Sequence, residues 1–305
     1  MTEHEPSTAR PAVGVIGLGN MGLPIALNMV RAGFGVIGAD VSSERLGRLE
    51  QAGGRRAETT AELAGRADVI VLLLPDSKVV TSVVTAPAFV ASLRPGTVIV
   101  DMSSSEPMRT RELGEALREH GVSMVDAPVS GGVKAAVAAR LTIMAGGDAD
   151  DLAVVRPVLD ALGTVTHTGA LGSGHALKAI NNLLSATHLW ATSEAMVLGE
   201  QFGLDPAVML TVLNGSSGRS GSTENKWPNF ILPGTFDSGF ALRLMLKDVR
   251  TAVALADEIG VPGRMAQLTE SLWAEASDGL AADADHTEIA RWVTADAAST
   301  GPDPR

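Results

Sequence analysis

The segment that decides the fold reads Val13-Gly14-Val15-Ile16-Gly17-Leu18-Gly19-Asn20-Met21-Gly22. Its apolar start predicts a buried parallel strand, and the pattern that follows over residues 23–32 predicts an amphipathic helix. Between them stands Gly-x-Gly-x-x-Gly, in which Gly17 permits a tight turn, Gly19 admits a pyrophosphate and Gly22 lets helix pack on strand. We therefore predict a dinucleotide site over residues 17–22, with a purely structural glycine turn as the alternative.

Asp40 closes the next predicted strand, 18 residues beyond Gly22. An acid near this position typically accepts a hydrogen bond from the adenosine ribose and repels a 2′-phosphate, so we predict NAD rather than NADP. A helix cap is the alternative reading of the same aspartate. Arg45 lies nearby in the sequence and weakens the expected repulsion.

Composition limits the classes of function. The chain has 305 residues, which predicts two domains, and a formal net charge of -11, which argues against nucleic acid or an anionic membrane as the main partner. It has no cysteine, so disulfides, thiolate nucleophiles and Cys-ligated zinc are excluded, and with six scattered histidines we expect no metal site. It has no tyrosine, which excludes a tyrosine general acid. The first ten residues have no apolar core, so we expect no leader peptide and a cytoplasmic location.

Two halves of the chain differ in their pattern. Up to Thr168, short apolar runs alternate with helical segments, which predicts a doubly wound, mainly parallel α/β sheet. After Gly169 the pattern is helical, with a helix from Gly174 to Phe202 and further helices at 206–213, 242–259, 265–276 and 287–294. We predict a nucleotide-binding domain over 1–171 and an all-helical substrate and oligomerisation domain over 172–305. We expect a long polar loop over 215–239, and loose ends over the first ten residues and from Thr294.

Two motifs carry candidate chemistry. Asp126-Ala127-Pro128-Val129-Ser130-Gly131-Gly132 follows a strand, and its hydroxyl and backbone amides suit a small anion such as a carboxylate, with a Ser-capped turn as the alternative. On the long helix, Lys178 and Asn182 share one face in apolar company, with Asn181 beside them. Desolvation there suits Lys178 to proton transfer, whereas a lysine snorkelling from the surface is the alternative. We interpret His175 as a helix-start residue.

These motifs resemble those of the β-hydroxyacid dehydrogenase family, which includes 3-hydroxyisobutyrate and 6-phosphogluconate dehydrogenases. The resemblance runs from about Val13 to about Trp292, in four ordered motifs: 17–22, 126–132, 172–182 and Lys247-Asp248. It implies a Rossmann domain followed by a helical domain, with the active site between them and with association into homodimers or homotetramers through the helices.

The resemblance also implies roles for single residues. Lys178 would be the catalytic acid and base, and Asn182 would orient the substrate. The remaining assignments are substrate binding by Ser130, Gly131, Gly132, Asn181 and Arg219, and cofactor contacts by Leu74, Pro75, Val79, Ser104 and Lys247. For Arg219 a solvated loop arginine is the alternative. The family commonly continues its second motif with glycine where this chain has Ala139, and a positive φ there would alter the local turn.

The expected reaction is reversible hydride transfer between NAD and a short 3-hydroxy acid, with 3-hydroxyisobutyrate as the first candidate. Tartronate semialdehyde, succinic semialdehyde and sugar-acid semialdehydes are alternatives. Imine reductases share the architecture but commonly lack a lysine at the position of Lys178. A non-catalytic NAD-sensing protein on the same scaffold is the alternative from another class.

Overall fold

The computed structural model describes residues 10–300, with the side chains of 297–300 left undescribed. The chain divides into two compact units between Lys178 and Ala179. The sequence-based boundary after residue 171 lies seven residues earlier. That one unit binds nucleotide and the other binds substrate stays a prediction.

The first unit is built on a sheet whose described part has nine strands. Their bounds are β1 Ala12–Ile16, β2 Gly35–Ala39, β3 Arg55–Arg56, β4 Val69–Leu72, β5 Val98–Asp101, β6 Ser123–Asp126, β7 Val129–Ser130, β8 Leu141–Gly146 and β9 Gly163–Gly169. The helices between them are α1 Gly22–Arg31, α2 Ser43–Gln51, α3 Thr60–Ala64, α4 Ser77–Val84, α5 Pro87–Ser92, α6 Pro107–Arg118, α7 Gly132–Val137 and α8 Ala149–Asp160.

The strand order is β3-β2-β1-β4-β5-β6-β8-β7, and β9 pairs with β8. Strands β1 to β6 pair in parallel, whereas β8 is antiparallel to β6 and β7. The order reverses on either side of β1, so the loop after β1 lies at the switch point where doubly wound sheets bind ligands. The fold is therefore the predicted α/β Rossmann type.

The central strands are apolar because both faces of the sheet are covered. In β4 all four residues are buried, and they alternate between two apolar clusters: Val69 and Val71 join one, Ile70 and Leu72 the other. Successive side chains of a strand point to opposite faces, so the two clusters form the two sides of the sheet. Strand β4 ends at Leu72, and the next residues form the turn.

The second unit is helical, as predicted. The long helix α9 Ser173–Phe202 crosses the division, and α10 Pro206–Asn214, α11 Leu242–Glu258, α12 Arg264–Gly279 and α13 Ile289–Thr300 follow. An apolar cluster around the fully buried Trp273 forms its core. Among the described helices, none has the length and hydropathy needed to cross a membrane.

Two expectations for this half were wrong. The segment expected as a polar loop over 215–239 contains a π-helical segment, Ser222–Ile231, because Trp227 and Ile231 bury their side chains in the helical core. The loose tail expected from Thr294 is helical to Thr300, where it continues a helix whose Ile289 and Val293 are buried. The expected loose ends over 1–9 and 301–305 lie outside the described residues.

Ala139 has a backbone conformation that favours glycine. Its φ is +52°, and it follows α7 at the position where a helix commonly ends with a left-handed residue. The amide of Arg140 donates to the carbonyl of Ala135 (2.9 Å) and that of Ala139 to Ala136 (3.3 Å), which is the bonding pattern of a Schellman motif. With alanine at this position the turn still forms, but its backbone is strained.

We expect Ala139→Gly to raise the free energy of unfolding by roughly 1 kcal/mol, because a left-handed conformation costs an alanine about that much. Ala138→Gly is the matched control. Ala138 has φ -85°, so glycine relieves no strain there. It only adds conformational entropy to the unfolded chain, which should lower the free energy of unfolding. Urea denaturation of both variants checks this. An Ala139→Gly variant less stable than wild type would contradict it.

Candidate functional site

The loop after β1 requires glycine at three positions for three different reasons. Gly17 has φ +93°, and a Cβ on it would collide with the carbonyl oxygen of Leu73. A Cβ on Gly22 would collide with the carbonyl oxygen of Gly17, where α1 begins against the loop. A Cβ on Gly19 would have no described protein atom within 4 Å. The loop is thus tight at both ends and open in the middle.

This arrangement fits a dinucleotide. The open space lies over the backbone of Gly19, and α1 begins three residues later, so helix amides and the helix dipole favour an anion at this point. The exposed Asn20 and half-buried Met21 complete the loop. These are the residues that the sequence assigned to the pyrophosphate, and their contacts with a cofactor stay a prediction.

Asp40 fixes the same loop from the end of β2. Its Oδ2 accepts from the amide of Leu18 (2.6 Å) and its Oδ1 from the amide of Ser42 (2.7 Å), and Arg45 Nη1 lies 3.8 Å from Oδ1. The carboxylate is therefore held at the strand end, next to the glycine loop. Asp40 orders the turn before α2, but the N-cap of that helix is Ser42, and the contact of Asp40 with a ribose stays a prediction.

The turns that follow β4 and β5 are joined to each other. The amide of Leu74 donates to Ser103 Oγ (3.0 Å), and the amide of Glu106 donates to Ser77 Oγ (2.7 Å). Both turns lie at the carboxyl end of the sheet, as does the glycine loop. The predicted cofactor positions therefore lie at one edge of the sheet. They are Leu74, Pro75, Val79 and Ser104.

Asp126 holds the start of α9 against the end of β6. Its Oδ1 accepts from the amide of Gly172 and its Oδ2 from the amide of His175, both at 2.7 Å. The approach is close, because a Cβ on Gly174 would collide with the carbonyl of Met144. A buried carboxylate at a helix N-terminus satisfies two amides and interacts favourably with the helix dipole. The first turn of α9 is therefore fixed at the end of β6.

His175 ties the same helix to the turn after β5. Its Nε2 lies 3.1 Å from the carbonyl oxygen of Ser103, to which it donates, and its Nδ1 lies 2.8 Å from Thr110 Oγ1. The carboxylates of Asp101 and Asp126 lie 3.8 and 3.7 Å from the ring. The imidazole is fully buried, which agrees with its interpretation as a helix-start residue.

Lys178 and Asn182 follow on α9, one turn apart, and Lys178 is half-buried. In the second unit, Asn182 Nδ2 donates to Asp248 Oδ2 at 2.5 Å, and Lys247 Nζ lies 3.0 Å from Asp248 Oδ1. The exposed Asn181 donates to Asn182 Oδ1 at 3.1 Å. These bonds fix the Asn182 amide and leave one of its two N–H donors for another partner.

The predicted carboxylate loop has an unusual backbone. Ser130 belongs to β7, paired with Thr142, and the next two residues, Gly131 and Gly132, have φ +120° and +66°. A Cβ on Gly132 would meet no described protein atom within 4 Å, so the backbone is open there. Strand β7 was not expected from the sequence because it has only two residues.

Arg219 is a surface residue in the structure. Its Nε pairs with Glu224 Oε1 at 2.8 Å, and its side chain is 62% exposed. An exposed pair of this kind contributes little energy. The geometry favours the solvated alternative over a role in substrate binding.

Sequence reasoning gave no structural role to two acids that the site depends on. Asp126 begins the motif 126–132, and Asp248 follows Lys247 in the chain. Nothing in the sequence indicates that Asp126 contacts Gly172 or that Asp248 contacts Asn182. The contacts join residues 46 and 66 positions apart. Within residues 10–300 there is no group of three or more His, Asp or Glu that could hold a metal ion.

We expect Asp126→Asn to lower the free energy of unfolding by roughly 2 kcal/mol, because an amide cannot accept from both helix amides and lacks the charge. Amide hydrogen exchange at Gly172 and His175 should accelerate. Asp148→Asn is the matched control, because Asp148 precedes α8 without capping it and forms an exposed ion pair with Arg118. Equal stability of the two variants would contradict the role of Asp126.

Two family models match the chain. Residues 12–172 match the NAD binding domain of 6-phosphogluconate dehydrogenase, and residues 172–293 match the NAD-binding domain of NADP-dependent 3-hydroxyisobutyrate dehydrogenase. Together they span the glycine loop, α9 and the Lys247-Asp248 pair. The chain therefore carries an NAD-binding domain.

Comparisons with individual proteins lead to the same family as the family models. The chain is 38% identical over 263 residues to 2-(hydroxymethyl)glutarate dehydrogenase of Eubacterium barkeri, covering 86% of this chain and 87% of that protein. It is 36% identical over 273 residues to mouse mitochondrial 3-hydroxyisobutyrate dehydrogenase, covering 87% and 82%. A Mycobacterium tuberculosis 3-hydroxyisobutyrate dehydrogenase structure with L-serine superposes with a TM-score of 0.87 at 32% identity, covering 93% and 99%.

The relatives named above are dehydrogenases of hydroxy acids, and the family motifs lie on the glycine loop and α9 described here. The chain belongs to the β-hydroxyacid dehydrogenase family, and it is an oxidoreductase that acts on hydroxyl groups.

Proposed function

We propose that this hydroxyacid dehydrogenase oxidises 3-hydroxyisobutyrate, or a close 3-hydroxy acid, to its semialdehyde, and that it prefers NAD. The observation that carries the proposal is helix α9. It holds Lys178 and Asn182 one turn apart, with its start fixed by Asp126 and with Asn182 fixed by Asp248. Tartronate, succinic and sugar-acid semialdehydes stay as alternatives for the reverse direction.

Each residue has a defined task in this proposal. Lys178 accepts the proton of the substrate hydroxyl in oxidation and returns it in reduction. The second N–H of Asn182 donates to the same oxygen, and Ser130 with the amides of Gly131 and Gly132 holds the carboxylate. NAD, when bound, supplies the hydride acceptor. Positioning of the substrate against α9 supplies much of the rate.

The relatives guide the choice of substrate. One is named for 2-(hydroxymethyl)glutarate and another for 3-hydroxyisobutyrate. Both acids carry a hydroxymethyl group on the carbon next to a carboxylate, so the same Lys178, Asn182 and carboxylate loop would serve either. Because the relatives are dehydrogenases, they favour the enzyme over the non-catalytic NAD sensor.

Association is proposed through the helical unit. Leu198 and Phe202 on α9, with Val208 and Val212 on α10, are 72, 83, 61 and 60% exposed. Large apolar side chains exposed at i and i+4 on two successive helices favour burial against another copy, so we propose a homodimer or homotetramer. A cytoplasmic location is proposed from the absence of cysteine.

We expect Lys178→Ala to lower kcat by roughly 10²- to 10⁴-fold, because the proton acceptor is lost, while NAD binding stays near that of wild type. Lys178→Arg is the control that retains the charge but cannot give up a proton at neutral pH. A spectrophotometric NADH assay with 3-hydroxyisobutyrate, alongside NADH titration, checks both. Substantial turnover by Lys178→Ala would reject the assignment.

We expect Asp40→Ala to shift the ratio of NAD to NADP affinity towards NADP by about 10-fold, because a ribose acceptor and a repelling charge are both removed. The ratio is the observable, since Asp40 also orders Leu18 and Ser42 and its loss affects both cofactors. Arg45→Ala should move the ratio the other way. An unchanged ratio in Asp40→Ala would refute the role in cofactor choice.

A further inference from the structure

Lys226 in the helical unit is half-buried, and within the described residues no carboxylate contacts its ammonium. Lys226, in the π-helical segment 222–231, donates from Nζ to Ser185 Oγ at 2.7 Å and to the Ser185 carbonyl at 3.3 Å. Across the described part of the chain, no Asp or Glu oxygen lies within 4 Å of it. An ammonium has three donors, and within the described residues its hydrogen bonds go to Ser185.

The nearest charged groups do not neutralise Lys226 by direct contact. Burial lowers the pKa of Lys226 to about 8, and the charge of Asp285 opposes this. Asp285 is occupied elsewhere, because its oxygens accept from Ser238 Oγ, from the amides of Gly239 and Phe240, and from Thr287.

The protonation of Asp285 and of its neighbour His286 follows from their own surroundings. Burial alone would raise the pKa of Asp285, but hydrogen bonds from His286, Thr287 and Ser238 hold it well below its usual range. Burial lowers the pKa of His286, so its ring is neutral at pH 7 and adds no charge. Within the described residues, no carboxylate thus neutralises Lys226 by direct contact, and Asp285 acts on it only at longer range.

The position of Lys226 connects it with the proposed substrate. Its partner Ser185 lies on α9, three residues after Asn182 and seven after Lys178. Residues at i, i+4 and i+7 share one face of a helix, and the step from Asn182 to Ser185 is a rise of about 4.5 Å. The group that Lys226 contacts therefore lies one turn beyond Asn182 on the same helix.

We propose that Lys226 binds a second carboxylate of the substrate, so that the preferred substrate class is a 3-hydroxy diacid. This inference rests on the proposed function. In such an acid the hydroxyl faces Asn182, and an arm of two methylenes carries the second carboxylate to Lys226.

Three acids separate charge from size. 3-Hydroxyisobutyrate, 2-(hydroxymethyl)pentanoate and 2-(hydroxymethyl)glutarate share the reacting carbon and the first carboxylate, and only the last ends its side arm in a second carboxylate. The ratio of kcat/KM for the glutarate over the pentanoate therefore isolates the second charge. We expect wild type to favour the glutarate on the order of 10- to 100-fold, as for a charged hydrogen bond at a desolvated site.

Lys226→Met, which removes the charge at similar volume, should abolish this ratio, and Lys226→Arg should keep most of it. If Lys226 only braces segment 222–231, Lys226→Met will lower turnover of all three acids in proportion and leave the ratio intact, and that result would overturn the inference. In wild type the ratio should also fall as the pH rises above about 8, because the ammonium loses its proton. A ratio constant from pH 7 to 9.5 would count equally against it.

Titration calorimetry measures binding affinity directly, so it tests the inference without turnover and without a variant. Wild type loaded with NADH should bind glutarate about 10-fold or more tightly than butanoate. Equal affinities would overturn the inference. The proposed function fails separately, if none of the three hydroxy acids yields NADH while glutarate still binds.

Discussion

The hydrogen bonds between the Asp126 carboxylate and the first amides of α9 are the constraint on which the site depends. They join a sheet, whose edge carries the predicted cofactor loop, to the helix that carries Lys178. Because the carboxylate is fully buried, its two amide partners and the helix dipole are what make its charge tolerable there. Glycine at 146 and 174 lets the helix start come this close. The position of Lys178 is thus a property of the strand end as much as of the helix.

Two further contacts make α9 a frame for the chemistry. His175 connects the helix start to the Ser103 turn, at the edge where the predicted cofactor residues lie, and Asp248 orients Asn182 from α11. Neither contact is itself chemical. Each limits the freedom of a group that is proposed to contact the substrate, and such ordering lowers the cost of assembling reacting atoms. Lys226, held by Ser185 on the same helix, fits this pattern.

Much of the fold follows from local pattern. The strands β1, β2, β4 and β5 are short apolar runs between glycine and polar turns, and such runs are typical of a parallel sheet covered on both faces. The segment 222–231 was missed because its polar residues hide the apolar spacing of Trp227 and Ile231. The short strands β3 and β7 depend on their neighbours in the sheet and carry no signal of their own.

The candidate site was predictable in its residue types but not in its contacts. Glycine spacing indicated the loop, and the lysine and asparagine at i and i+4 indicated a shared face. The partners of these residues come from distant parts of the chain, so the contacts of Asp126, Asp248 and Ser185 are visible only in the folded structure. Ala139 is an intermediate case, because a departure from the family motif pointed to a positive φ that the structure then gave as +52°.

A crystal structure of the enzyme with NAD and 3-hydroxyisobutyrate tests the central claim most directly. The account predicts the pyrophosphate over Gly19 and the Nζ of Lys178 at hydrogen-bond distance, roughly 3 Å, from the substrate hydroxyl oxygen. A Lys178 ammonium directed into solvent, away from both ligands, would contradict it.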